Sequence, residues 1–207
     1  MRDLEILRYT DSRMHVSMVS TAGSVDLIRN AKKEGLQVTC GIAAHQLSFF
    51  DEDLSSFDTR LKVLPPFRRK ADKKALIKGL LDGTIDVICS DHTPEDIEHK
   101  KSEFEHASFG ISSLETAFSS ILTAVEGKVG LDVLINCLSH NPRKLLGLPE
   151  IVIEEGAQAN LTLFDPSDEW LVKKEDLLSK SDNTPFGKMT LKGLVHGVIR
   201  GKSSRWN

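Results

Sequence analysis

An acid and an imidazole follow directly on an apolar run in Val87-Ile88-Cys89-Ser90-Asp91-His92-Thr93-Pro94. A carboxylate at the end of a buried strand needs a partner, because an unpaired charge out of water is costly. Asp91 is therefore the first candidate for chemistry, as a proton carrier or as a metal ligand. The alternatives are that it caps the following turn or pairs with a loop lysine. Met18 and Ala44-His45-Gln46 fall at the ends of two further apolar runs. Met18 brings a thioether, a soft donor better suited to Cu(I) than to Zn(II), and reads as packing. His15 reads as a core or surface histidine with one hydrogen bond. The three cysteines, Cys40, Cys89 and Cys137, stand apart among apolar neighbours and form no CxxC pair. They read as reduced thiols of a cytoplasmic protein, not as a structural zinc site.

These candidates need elements to hold them. Arg13 to Val19, Leu36 to Ala44 and Ile85 to Ser90 are short runs rich in β-branched residues, separated by helical patterns at Val25 to Glu34 and Lys70 to Asp82. Ser24 is placed to cap the first of these helices and Gly35 to stop it. Strand, helix, strand, helix, strand implies parallel strands with crossover helices. The runs are nearly continuous in apolar residues, as strands covered on both faces are. In such folds chemistry gathers where strands end and loops begin, which is where Met18, Ala44 to Gln46 and Asp91 lie. Residues 46–70 read as irregular, with Pro65-Pro66 excluding a helix there. Residues 95–106 read as a charged loop, and Lys100-Lys101 as part of a solvated face. Helices follow at about Leu114 to Glu126, Leu131 to Ser139 and Arg143 to Gly147. After Pro149, runs at Val152-Ile153, Leu161 to Phe164 and Thr190 to Arg200 alternate with Gly, Asp-Pro and Asn-Thr-Pro turns, a β-rich pattern.

Composition narrows the classes. The 207 residues carry a formal charge of -3, which argues against nucleic acid as a partner. No run reaches the ~18 apolar residues of a membrane span, and the opening MRDLEILRYT reads as an amphipathic mix and not as a signal peptide.

The strings STAGSVDLIRNAKKEGLQVT, GTIDVICSDHTP, FGISSLETAF, NPRKLLGL, EEGAQANLTLFDP, SKSDNTPFGKMTLKG and GLVHGVIRGK occur in that order over nearly the whole chain. Together they resemble the C-terminal half of dihydroorotases, of the amidohydrolase superfamily. The resemblance implies an α/β fold: the C-terminal part of a (β/α)8 TIM-type barrel over residues 1–149, with its last three strands, and part of a small β domain over 150–207. It also implies metal-dependent interconversion of carbamoyl-aspartate and dihydroorotate in pyrimidine synthesis, with zinc as the family's metal. The family's first five strands, which carry most metal ligands, have no counterpart here.

Carried over residue by residue, the resemblance makes Asp91 the catalytic proton carrier and a metal ligand, and Phe109 and Gly110 the backbone that meets the substrate. Three positions that serve the metal or the substrate in the family depart from its pattern. Met18 stands where a ligand histidine is usual, Leu64 where an asparagine precedes Pro-Pro, and Glu95 where a histidine closes the Asp-His-Ala-Pro-His string. Gln46 also replaces the second histidine of a Pro-His-His string whose first is His45. Near a substrate carboxylate, Glu95 would repel by about 4 kcal/mol at ~4 Å and an effective dielectric of ~20.

Three readings follow. The chain is a portion of a dihydroorotase with little or no activity by itself; or a non-catalytic scaffold that holds aspartate carbamoyltransferase; or part of another cyclic amidase of the hydantoinase kind. Three barrel strands leave two open edges and an apolar face. Either the missing N-terminal half or a second copy of the chain is expected to cover them.

Overall fold

The structure, a computed structural model, describes residues 1–207. Its first sheet is parallel, in the order β1 (Met14–Val16), β2 (Val38–Ala43), β3 (Val87–Cys89). Met14 pairs with Val38 and Gly41 with Val87. The crossovers run through α2 (Ala22–Lys33) and α3 (Lys70–Leu81), and α1 (Arg2–Thr10) precedes β1. Val25, Ile28 and Ala31 of α2, with Leu76 and Leu80 of α3, bury against Val38, Cys40, Ile42 and Ile88 in one core that also takes in Leu4, Leu7, Ile121 and Leu134. The outer strands β1 and β3 each pair on one side only.

The start of α2 differs from expectation. Thr21 is the cap, and its Oγ1 accepts from the Ser24 amide at 3.2 Å, so the helix begins before Ser24. Both residues have capping chemistry, and the earlier one is in extended conformation, which a cap requires. Strand β1 stops at Val16, and Met18 lies beyond it in the connection to α2.

The stretch after β2 is irregular in a specific way. Three 3₁₀ turns, Ala44–Leu47, Asp51–Ser56 and Thr59–Leu61, lead to a cis Leu64-Pro65 peptide. After β3 come α4 (Ile97–Lys100) and α5 (Ala117–Ala124). Then α6 (Leu131–Ile135) continues through a π turn, Asn136–His140, into α7 (Asn141–Leu145). Pro142 lies where the π turn passes into α7.

The second sheet is antiparallel, with β4 (Asn160–Leu171), β5 (Thr190–Arg200) and β6 (Ser203–Trp206) in that order. Val152 and Ile153 form no strand, contrary to their β-branched character. Helix α5 lies on β5. The Ser119 hydroxyl donates to the Gly193 carbonyl at 2.7 Å and accepts from the Trp170 indole at 3.1 Å. A side chain at Gly193 (φ +89°) would stand 3.0–3.1 Å from Leu122 and Phe118, so helix and strand close only over glycine. A second core, built from Leu61, Val63, Phe67, Ile111, Val172, Phe186 and Leu191, joins the loops after β2 and β3 to the C-terminal segment. No helix is long and apolar enough to cross a membrane.

Candidate functional site

Asp91 lies two residues past the end of β3, in a left-handed conformation (φ +50°) that aspartate adopts more readily than most residues. Both flanks of this turn are tied down. The Ser113 hydroxyl donates to the Ser90 carbonyl at 2.7 Å. The His92 Nδ1 accepts from the amides of Ser113 and Leu114 at 3.1 and 3.2 Å, so it carries no proton there. The Thr93 amide donates to the Ile111 carbonyl at 2.9 Å. Asp91 itself neither caps the turn nor pairs with a lysine. Its nearest charged-type neighbour is His45, with Nε2 to Oδ2 at 3.7 Å, too long for a hydrogen bond. Burial pushes the Asp91 carboxyl above the usual carboxylate range.

His45 is fully buried in the turn after β2, edge-on to Phe67 at 5.5 Å between ring centres. Neither ring nitrogen has a hydrogen-bond partner. Burial lowers its pKa to about 4, so the ring is neutral at physiological pH. Gln46 is also buried, and its amide donates to the Pro65 carbonyl at 2.8 Å, holding the loop of the cis proline.

The three departing positions fall into place as follows. Met18 is half-buried just past β1. Leu64 is 62% exposed, so the cis turn presents an apolar side chain to solvent. Glu95 turns toward His99, with Oε2 to Nδ1 at 3.1 Å, and the Ser181 hydroxyl donates to its carbonyl at 2.7 Å. His15 makes a single hydrogen bond, to the Thr39 hydroxyl at 2.8 Å.

Phe109 and Gly110 are brought beside this turn, but they differ in what they can offer a ligand. Gly110 (φ +129°) packs so tightly that a Cβ would lie 2.6 Å from the Thr93 carbonyl oxygen. Its amide donates to the Lys62 carbonyl at 2.9 Å, and its carbonyl accepts from Lys100 Nζ at 2.9 Å and Asn183 Nδ2 at 3.1 Å. Both backbone groups of Gly110 are thus engaged within the protein. The Phe109 ring is about half exposed and lies 4.8 Å from Lys62 Nζ.

Lys100 corrects the expectation of a solvated Lys100-Lys101 face. It is 5% exposed, and its ammonium donates to the carbonyls of Ser108 and Gly110. Burial pushes its pKa down to about 8, with Glu95 opposing that shift. Nothing in the run Glu98-His99-Lys100-Lys101 marks one lysine as internal. The signal lies in the carbonyls of a loop eight to ten residues further on.

A zinc ion takes four ligands in a closed site, or three with a water in an open one. No group of three or more histidine, cysteine, aspartate or glutamate side chains converges anywhere in the chain. At the turn after β3 only Asp91 and His45 approach each other, and the thioether of Met18 is a poor substitute for an imidazole. The donors of this chain alone do not make a zinc site.

No family model matches the chain. A dihydroorotase of Thermoanaerobacter sp. is 42% identical over 211 residues, covering 99% of this chain and 49% of that protein. Among solved structures, the L-hydantoinase (dihydropyrimidinase) of Arthrobacter aurescens superposes with a TM-score of 0.90 at 27% identity, over 98% of this chain and 47% of that one. The inactive dihydroorotase-like domain of the Chaetomium thermophilum CAD-like multifunctional protein superposes with a TM-score of 0.74 at 24% identity, over 98% and 53%. The chain thus spans about half the length of the relatives it matches. Its three parallel strands and crossover helices are a part of their TIM-type barrel. A 42% match sustained along nearly every residue goes far beyond a shared architecture: the chain corresponds to the C-terminal half of proteins named dihydroorotase and is a C-terminal part of the amidohydrolase fold.

Proposed function

We propose that this chain forms the C-terminal wall of a dihydroorotase-type site for cyclic amide hydrolysis, and has little or no activity by itself. The observation that carries this reading is Asp91, a half-buried acid fixed at a strand end without a lysine partner. In this role Asp91 accepts a proton and hands it to the leaving nitrogen. Phe109 and Gly110 shape the loop that meets the substrate. Zinc would supply the activated water and a polarised carbonyl, with Asp91 as this chain's donor and the remaining ligands from outside it. The N-terminal half of the protein, or a second copy of the chain, covers the open edges of β1 and β3. Dihydroorotate fits better than a hydantoin as substrate, because the 42% match is to a dihydroorotase and the match to L-hydantoinase is 27%.

A second reading has a specific basis. Met18, Leu64 and Glu95 alter positions for metal, substrate amide and substrate carboxylate together. Such a set favours a non-catalytic protein whose task is to hold a partner, with aspartate carbamoyltransferase as the candidate.

The two readings separate on the protein in its native length. Zinc content and dihydroorotate hydrolysis are measured there and on residues 1–207. The first reading expects turnover and bound zinc at native length, with at least a tenfold loss of turnover in Asp91→Asn, and none above background for 1–207. Neither zinc nor turnover at native length, with co-elution of aspartate carbamoyltransferase in gel filtration, establishes the second. Stoichiometric zinc and turnover from 1–207 alone overturn both.

A further inference from the structure

Ser108, Phe109 and Gly110 carry six backbone hydrogen-bonding groups. Four are engaged within the protein. The Ser108 amide donates to the His99 carbonyl at 3.0 Å, and the Ser108 carbonyl accepts from Lys100 Nζ at 2.7 Å. The Gly110 amide donates to Lys62, and the Gly110 carbonyl takes both Lys100 and Asn183. The two groups left without a partner are the amide and the carbonyl of Phe109. One ammonium therefore holds the carbonyls on either side of the residue whose backbone is free.

We propose that Lys100 is a positioning residue: it grips the Ser108 and Gly110 carbonyls so that the peptide groups of Phe109, not those of Gly110, are the ones this loop presents to ligand. The proposal rests on the reading that this loop faces the substrate. Its geometry stands independently. A buried ammonium is costly unless its hydrogens are satisfied, and here two carbonyls at 2.7 and 2.9 Å meet it. The same lysine is anchored from behind, because the Thr59 hydroxyl donates to its own carbonyl at 2.7 Å. Lys62 reinforces the arrangement by taking the Gly110 amide on its carbonyl and setting its ammonium near the Phe109 ring. The loop is then wedged against Thr93, two residues past Asp91, where Gly110 leaves no room for a side chain.

The test is Lys100→Met in the native-length protein, which keeps an unbranched side chain of similar reach and removes the donors. Amide hydrogen exchange is followed at single-residue resolution, with and without saturating dihydroorotate. In the wild type, dihydroorotate is expected to slow exchange of the Phe109 amide at least fivefold. In Lys100→Met, the Gly110 amide is expected to exchange at least tenfold faster. There the protection of Phe109 by dihydroorotate is lost, KM rises about tenfold, and exchange in the parallel strands is unchanged. A purely structural lysine would not change the ligand footprint of Phe109. If Lys100→Met does not fold, Lys100→Gln, whose shorter side chain cannot reach both carbonyls, takes its place and should speed Gly110 exchange by a smaller factor. The proposal is overturned if Gly110 exchange is unchanged in whichever variant folds, or if dihydroorotate still protects Phe109 in Lys100→Met. Failure of the wild type to bind dihydroorotate overturns the proposed substrate instead, and Gly110 exchange still decides the role of Lys100.

Discussion

Acidification from pH 6.5 to 4 is expected to remove about 3 kcal/mol of stability through one side chain, His45. The imidazole is fully buried with both nitrogens unpartnered, and its pKa falls from 6.5 to about 4 because burial penalises the charged ring. The sign follows from where the proton goes. Below pH 6.5 the unfolded chain takes up a proton at this position while the folded chain does not, so unfolding gains. The contribution is whole above pH 6.5 and is lost as pH falls toward the folded value. Asp91 opposes it at the acid end. Its pKa is raised by burial, so protonating it as pH falls relieves a cost in the folded state. The measurement is the denaturant midpoint at pH 7, 5.5 and 4.5 for the wild type and for His45→Phe. The phenylalanine keeps the edge contact with Phe67 and abolishes both orphaned nitrogens, so at pH 7 it should lie within about 1 kcal/mol of the wild type. On acidification it should lose about 2–3 kcal/mol less. Parallel pH curves for the two proteins would mean that His45 finds a partner in solution.

An orphaned imidazole facing the acid of a candidate site also bears on the family reading. Buried polar groups without partners are rare in native proteins and tend to mark functional positions. His45 points Nε2 at the Asp91 carboxylate and stops short of bonding it. That arrangement leaves the carboxylate free to engage something else on its open side, which the proposed role requires.

The barrel portion was legible because its grammar is local. Apolar runs at residues 36–44 and 85–90, separated by the helical pattern of Lys70 to Asp82, admit few arrangements, and the parallel sheet with Asp91 at a strand end follows from them. What stayed hidden depends on partners far along the chain. Thr21 and Ser24 have the same capping chemistry, and only the backbone angles choose between them. Gln46 is committed to the Pro65 carbonyl by a turn nineteen residues away. Lys100 is one cation in a charged run, and the carbonyls that bury it belong to a loop whose path its own neighbours do not determine. The resemblance makes Gly110 part of the backbone that meets the substrate. In the structure its freedom is used to approach Thr93, and its peptide groups are spent on Lys62, Lys100 and Asn183. Val152 and Ile153 have strand composition without a neighbouring strand to pair with.

Asp86→Ala is expected to cost about 2–4 kcal/mol, because its carboxylate ties α2 and β2 to the start of β3. Lys32 of α2 donates to both its oxygens at 2.7 and 2.8 Å, and the Cys40 amide of β2 donates to Oδ2 at 2.8 Å. The Asp86 carbonyl accepts from Asn141 Nδ2 of α7, also at 2.8 Å. Removing the carboxylate orphans a strand amide and takes away the ionic partner of Lys32. The two side chains are 22% and 25% exposed, so water can reach the lysine, which also keeps the Gly83 carbonyl at 3.1 Å. The cost should therefore fall short of the largest values for a fully buried pair. Asp86→Asn retains an acceptor for the Cys40 amide and should cost about half as much. A cycle with Lys32→Met, read from urea midpoints, should give a coupling of about 1–2 kcal/mol. Additive losses below about 0.5 kcal/mol each would show that the helix and strands hold without this tie. The consequence reaches the other end of the same strand. Asp86 immediately precedes β3 and Asp91 follows it closely, so a strand that loses its lower anchor carries the acid of the candidate site with it. If the proposed role of Asp91 is right, Asp86→Asn should lower turnover at native length by more than its modest effect on stability explains.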